Sequence, residues 1–206
     1  EIGELCKEND ILFHVDAAQS AGKIPIDVIE MNIDLLSISS HKMYGPKGVG
    51  ALFIKRKQPR IRISPLLHGG GQQNGIRPGT LPVHLIVGFG KACEISQNNM
   101  NVESADIFNM REHLYRQLKE NIDSIKINGD MINRLPGNLN VTFIGNQSEK
   151  IIMKLRDIAL SNGSACTSNS TKPSYVLKAI GRNDNEAYSS IRFSIGRFNT
   201  FKEINY

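Results

Sequence analysis

The sequence predicts an α/β protein: part of a large parallel-sheet domain over residues 1–100, then a smaller α+β domain over 101–206 that is cut short at its end. Three observations carry this. Apolar runs at 11–15 and 33–38 each end in polar residues and are separated by an amphipathic stretch at 26–31, the strand–connection–strand order of a parallel sheet. Polarity rises at 97–106 after a long helical pattern, which marks a domain boundary. Beyond it, short strand-like and helix-like segments alternate. Hydrophobic content of 40% and charged content of 22% over 206 residues are ordinary for a globular protein. No apolar run approaches the roughly 20 residues of a membrane helix, so no membrane partner is expected.

Residues 1–9 read as the end of a helix with Ile2, Leu5 and Cys6 on one face, so the chain is expected to begin inside a domain. The run 11–15 follows and Asp16 closes it. His14, inside that strand, is expected to have a packing role. The second strand begins at the apolar run 33–38 and is expected to end at Lys42. In open sheets of this kind ligands bind beyond the carboxyl ends of the strands. Asp16, Gln19, Ser39, His41 and Lys42 all fall at such ends. The stretch Ser39-Ser40-His41-Lys42-Met43-Tyr44-Gly45-Pro46-Lys47-Gly48 contains two lysines of different kinds. Lys47 sits in a Pro–Gly turn and reads as exposed. Lys42 follows the apolar strand, where partial desolvation lowers an amine's pKa and suits it to bond a carbonyl. Taken alone, it reads as a solvated strand-end lysine, because lysines are mostly exposed.

Residues 49–55 and 60–64 are expected to be two further strands, paired near the sheet edge. Gly48-Val49-Gly50 is no dinucleotide fingerprint, because no third glycine opens a helix after it. Gly45-Pro46-Lys47-Gly48 lacks the spacing and the ending of a phosphate-binding Walker loop. The net charge of +5 raises the question of nucleic acid, centred on Lys55-Arg56-Lys57 with Arg60 and Arg62. Without interleaved aromatics this cluster reads as a solvated strand end, and no direct nucleic-acid contact is expected. The glycine-rich loop 68–80, ending Arg77-Pro78-Gly79-Thr80, is a flexible connection or an anion-binding one. Leu81-Pro82 opens a helical pattern with Leu85, Ile86, Phe89 and Ala92 on one face, and Cys93 within it reads as inert packing.

After the boundary, a helix is expected through Met110, Leu114 and Leu118, strands at 125–127 and 139–144, and a helix at 150–156. An apolar strand at 158–160 leads into Ser161-Asn162-Gly163-Ser164-Ala165-Cys166-Thr167-Ser168, where a thiol on a polar loop would be accessible. Pro173 begins a helix over 175–180 that Gly181 stops. Residues 191–195 form a strand with Arg192 as its odd charged member. Thr200-Phe201-Lys202-Glu203 is a capping box. Cys6, Cys93 and Cys166 are odd in number and lack metal-ligand spacing, so no metal is expected and a reducing compartment fits.

These motifs, in this order, resemble a cysteine desulfurase of the iron–sulfur-cluster-assembly type, in the class V aminotransferase family of fold type I. The resemblance runs from His14-Val15-Asp16-Ala17-Ala18-Gln19 to the C-terminus and includes 39–48, 68–80, 163–168 and 189–197. Ser40 stands where the family often has glycine. The family's first portion and its C-terminal tail are expected to lie outside this chain. The resemblance implies pyridoxal 5′-phosphate as cofactor, bonded by Lys42. Asp16 would pair with its pyridine nitrogen, Gln19 with its phenolic oxygen, and Ser39 and His41 with its phosphate. Thr80 would reach the phosphate of a neighbouring subunit in a homodimer. Arg192 would hold the carboxylate of L-cysteine, and Cys166 would take its sulfur as a persulfide, leaving L-alanine. The implied partner is an iron–sulfur scaffold or another sulfur acceptor, with supply to tRNA thiolation, in the bacterial cytoplasm or the mitochondrial matrix. Two alternatives remain at this point. One is another class V enzyme, a selenocysteine lyase or an aminotransferase. The other is a non-catalytic remnant acting as a dimerisation or scaffold-binding module.

Overall fold

The structure, a computed structural model, describes residues 1–162 and 173–206. It is mixed α/β and divides into two compact units, Glu1–Asn101 and Val102–Tyr206.

The first unit holds helix α1 (Ile2–Glu8), strands β1 (His14–Asp16), β2 (Leu35–Ser39) and β3 (Gly50–Ile54), and the start of helix α2 (Val83–Asn121). The sheet order is β1-β2-β3. Strands β1 and β2 run parallel, with His14 opposite Leu35 and Asp16 opposite Ser37. Strand β3 is antiparallel to β2, with Ser39 opposite Gly50, so the expected parallel sheet is mixed. Its core is small: Ala17, Ile33, Met43, Phe89 and Ala92.

Several expectations for this unit are corrected. Helix α1 buries Gly3, while Ile2 and Leu5 are exposed. The stretch 26–31 is not helical but a series of turns, because Asp27 Oδ1 accepts the amide hydrogens of Ile29 and Glu30 and closes a local bend. Strand β2 begins at Leu35 and ends at Ser39, not at Lys42, since Ile33 and Asp34 are already buried ahead of it and a 3-10 turn over Ser40–Met43 takes the chain out of the sheet. No strand forms at 60–64: the alternation Arg60-Ile61-Arg62-Ile63 is strand-like, but the edge of β3 is not paired there. His14 is exposed rather than packed, because three-residue β1 leaves one face uncovered. Its Nε2 shares a 2.7 Å hydrogen bond with Ser37 Oγ.

Helix α2 continues unbroken through 97–106, where the sequence suggested a break. The polar residues there are a solvated stretch of helix, with Gln97, Asn98, Asn99 and Asn101 exposed. The second unit has the remainder of α2, strands β4 (Ile125–Ile127), β5 (Asn138–Phe143) and β6 (Ser190–Ser194), and helices α3 (Ser148–Lys154), α4 (Tyr175–Ala179), α5 (Asp184–Tyr188) and α6 (Phe201–Ile204). The antiparallel order is β4-β5-β6. Leu139, Val141, Phe143 and Ile191 are buried at its centre, with Leu114, Leu118, Ile125, Ile127 and Phe193 packed around them. No strand forms at 158–160; Ser161 alone bridges to Arg192. Helix α5 was not foreseen. It is opened by a capping box between Asn183 and Glu186.

Candidate active site

Two parallel strands end side by side in the first unit. Strand β1 delivers Asp16 and β2 delivers Ser39, so the residues that follow each strand share one edge of the sheet. Asp16 is exposed, and its Oδ1 accepts the Ala18 N–H at 3.0 Å, which folds the chain sharply past the strand end. A turn over 17–24 follows, held by Ala21 N–H to Ala17 O at 2.9 Å and Lys23 N–H to Ser20 O at 3.0 Å. Gln19 is exposed on this turn, and its Oε1 accepts from Lys23 Nζ at 3.4 Å.

At the end of β2, Ser39 Oγ and His41 Nδ1 share a hydrogen bond of 3.0 Å. Lys42 lies on the 3-10 turn, whose carbonyl at Ser40 accepts the Tyr44 and Gly45 amide hydrogens. Tyr44 takes up a left-handed conformation, φ 64°, to make that turn. Lys42 is exposed, so the desolvated setting expected for it is not present: the short turn holds it on the sheet edge, not beneath it. Beneath the turn, Ser40 is fully buried, and a Cβ placed on Gly45 would come within 2.2 Å of its Oγ.

Lys23, which the sequence analysis did not single out, lies on the same turn as Gln19. Burial, and then the neighbouring Lys42 ammonium, push its amine below the usual lysine range. Its one sequence signal is a spacing of four residues from Gln19 across a turn.

The structure therefore brings Asp16, Gln19, Ser39, His41 and Lys42 to one edge. Thr80 is exposed in the glycine-rich loop, after Gly79, whose N–H donates to Gln72 Oε1 at 3.1 Å. Arg192 belongs to the second unit, on β6 opposite Asn140 of β5. Its Nε is buried and has no hydrogen-bond partner among the described residues. Cys166 lies outside the described residues. Cys93 is half-buried on α2, and burial raises its thiol's pKa. Among the described residues no cluster of histidine, cysteine or carboxylate could hold a metal ion, and no helix is long and apolar enough to cross a membrane.

The chain is similar to curated proteins over its whole length. It is 54% identical over 206 residues to a probable mitochondrial cysteine desulfurase of Dictyostelium discoideum, covering 100% of this chain and 46% of that protein. It is 55% identical over 205 residues to the cysteine desulfurase IscS of Aeromonas salmonicida, covering 100% of this chain and 50% of that one. The chain thus spans about half the length of the curated relatives it matches. Among solved structures, a NifS-like protein from Rickettsia africae superposes with a TM-score of 0.85 at 31% identity, over 99% of this chain and 53% of that one. SspA in complex with cysteine superposes with a TM-score of 0.72 at 39% identity, over 97% of this chain and 54% of that one. The aminotransferase class-V family matches residues 1–206. With every residue inside that match, the chain belongs to the class-V aminotransferase family, whose cofactor is pyridoxal 5′-phosphate.

Proposed function

We propose that the complete protein is a cysteine desulfurase that converts L-cysteine to L-alanine and captures the sulfur as a persulfide on Cys166. The observation that supports this reading is that β1 and β2 run parallel and side by side, so that Asp16 and Gln19 follow or close one strand while Ser39, His41 and Lys42 close or follow the other at the same edge. Relatives named cysteine desulfurase at 54–55% identity support it, as does a similar structure that holds cysteine.

The donor set fits the cofactor. Asp16 offers a carboxylate for a pyridinium nitrogen, Ser39 and His41 offer hydrogen bonds to a phosphate, and Gln19 offers an amide to a phenolic oxygen. Lys42 Nζ would be the amine that holds the cofactor, and it would serve as the base that moves a proton at substrate Cα. When bound, pyridoxal phosphate supplies an electron sink that makes that proton acidic. Arg192, whose buried Nε has no hydrogen-bond partner among the described residues, would hold the substrate carboxylate. Cys166, as thiolate, bonds the substrate sulfur as the Cβ–S bond breaks. The bonding pair stays with carbon, which takes a proton to become the methyl group of alanine.

In this reading residues 1–100 are the C-terminal part of the large cofactor domain and 101–206 belong to the small domain carrying the cysteine. A homodimer brings Thr80 to the neighbouring subunit's phosphate. The sulfur passes to an iron–sulfur scaffold or another acceptor, including tRNA thiolation, in the bacterial cytoplasm or the mitochondrial matrix. The test is cofactor binding by the complete protein. Lys42→Ala should abolish the visible absorption band that pyridoxal phosphate acquires on the protein, and Lys47→Ala should leave it. Equal loss of the band in both variants would sink the assignment of Lys42.

A further inference from the structure

We infer that Lys23 is a positioning residue of the cofactor site, holding the carbonyl end of the Gln19 amide so that its N–H end faces the cofactor's phenolic oxygen. This rests on the function proposed above and goes beyond it.

The geometry is local. The turn over 17–24 sets residues 19 and 23 one turn apart, and Lys23 Nζ donates to Gln19 Oε1 at 3.4 Å. Gly22 makes the turn possible: its φ of +73° is costly for other residues, and a Cβ there would stand 3.0 Å from both Met43 Cε and Ser96 Oγ. Met43 is the last residue of the 3-10 turn that carries Lys42. The Lys23 turn is thus packed directly against the lysine turn.

Chemistry then selects the orientation of the amide. An ammonium group has only donors, whereas a glutamine amide has an oxygen acceptor at one end and two N–H donors at the other. With Lys23 on Oε1, the N–H end is the one left for a ligand. A phenolic oxygen that carries negative charge needs a donor and is repelled by Oε1. Lacking Lys23, the amide gains nothing from this orientation and is free to turn over.

The experiment uses the complete protein loaded with pyridoxal phosphate. Its readout is the pH midpoint of the bound cofactor's visible spectrum, which follows the proton shared between the phenolic oxygen and the Lys42 nitrogen. A donor to the phenolic oxygen and a nearby cation both favour loss of that proton. Lys23→Met should therefore raise the midpoint by about one pH unit, the size of one lost charged hydrogen bond. Lys23→Arg, still a donor-only cation, should restore it. Asp16, His41 and Lys42 are common to all variants, so their titration does not distinguish them. In a Gln19→Leu background, Lys23→Met should give less than half of its shift, because the residue it acts through is gone. Should Lys23→Met fail to fold, Lys23→Gln should show the same upward shift, since its amide does not fix which end of Gln19 it meets. An unchanged midpoint in Lys23→Met or Lys23→Gln overturns the inference, and so does a full shift in the Gln19→Leu background. Absence of any visible band in the unsubstituted protein overturns the proposed function and the inference with it, so the two failures are told apart.

Discussion

Arg192 and Ser161 exchange backbone hydrogen bonds: the Arg192 N–H donates to Ser161 O at 2.6 Å, and the Ser161 N–H to Arg192 O at 3.4 Å. The residue proposed to hold the substrate carboxylate and the segment that leads to Cys166 therefore share one anchor. Cys166 is the fifth residue after Ser161. Arg192 itself sits on β6, which is paired with β5 along five residue pairs from Asn138–Ser194 to Thr142–Ser190, so its backbone is fixed.

The guanidinium of Arg192 can grip both oxygens of a carboxylate at once, which an ammonium cannot. Arg192→Lys should raise KM for L-cysteine about ten- to a hundredfold, the cost of one charged hydrogen bond. The affinity for pyridoxal phosphate should not change. Steady-state kinetics beside a cofactor titration checks this, and an unaltered KM would remove Arg192 from substrate binding.

Gly45 stands directly over the buried Ser40 hydroxyl. A methyl group there would lie 2.2 Å from Ser40 Oγ and 3.1 Å from Ala92 Cβ. Gly45→Ala should destabilise the protein by about 1–3 kcal/mol through overpacking. Ser40→Gly in the same chain should recover most of that loss, because it removes the atom in the way. Denaturant melts of both variants decide the matter, and a double variant no more stable than Gly45→Ala would contradict the steric account.

Asp34, 6% exposed, is the principal buried charge of the first unit. Burial alone would raise its carboxyl, but the Phe13 N–H at 3.1 Å and the Lys57 ammonium at 3.1 Å outweigh that, and the net result is a pKa below the usual range. A carboxyl lowered on folding stabilises the protein above its unfolded pKa of about 3.9, and the contribution is lost as pH falls through the folded value. Asp34→Asn should cost roughly 1–3 kcal/mol at neutral pH. The gap between variant and parent should close at acid pH below that range. A gap of constant size would show that the charge is not responsible.

What could be read in the chain beforehand follows from how local each signal is. The end of β1 was legible because an apolar run stops abruptly at Asp16, whereas β2 was expected to run to Lys42 and ends at Ser39, since apolar content does not reveal the 3-10 turn over Ser40–Met43. The strand expected at 60–64 was not real, since alternation describes a strand's faces and not whether an edge exists for it to join. His14 was misjudged for a related reason: an apolar neighbourhood does not reveal which face of a short strand is covered. Helix α5 was overlooked because Asn183-Asp184-Asn185-Glu186 is polar throughout, although the capping box lies in plain view once Asn183 and Glu186 are paired. Lys23 carries no motif at all. Its place depends on Gly22 letting one turn pack on another, a relation that exists only in three dimensions.

The central claim is that sulfur leaves L-cysteine for Cys166. Cys6 lies on α1 and Cys93 on α2, where a helical backbone holds each thiol in place, while Cys166 lies among glycine, serine, alanine and threonine. The decisive measurement is peptide mass mapping of the complete, cofactor-loaded protein after L-cysteine treatment and thiol trapping, with alanine counted in parallel. The account predicts one added sulfur on Cys166, matched by alanine release. In Cys166→Ser both should vanish, while the cofactor's spectrum still responds to L-cysteine. Added sulfur on Cys6 or Cys93 with none on Cys166, or undiminished alanine release from Cys166→Ser, would contradict it.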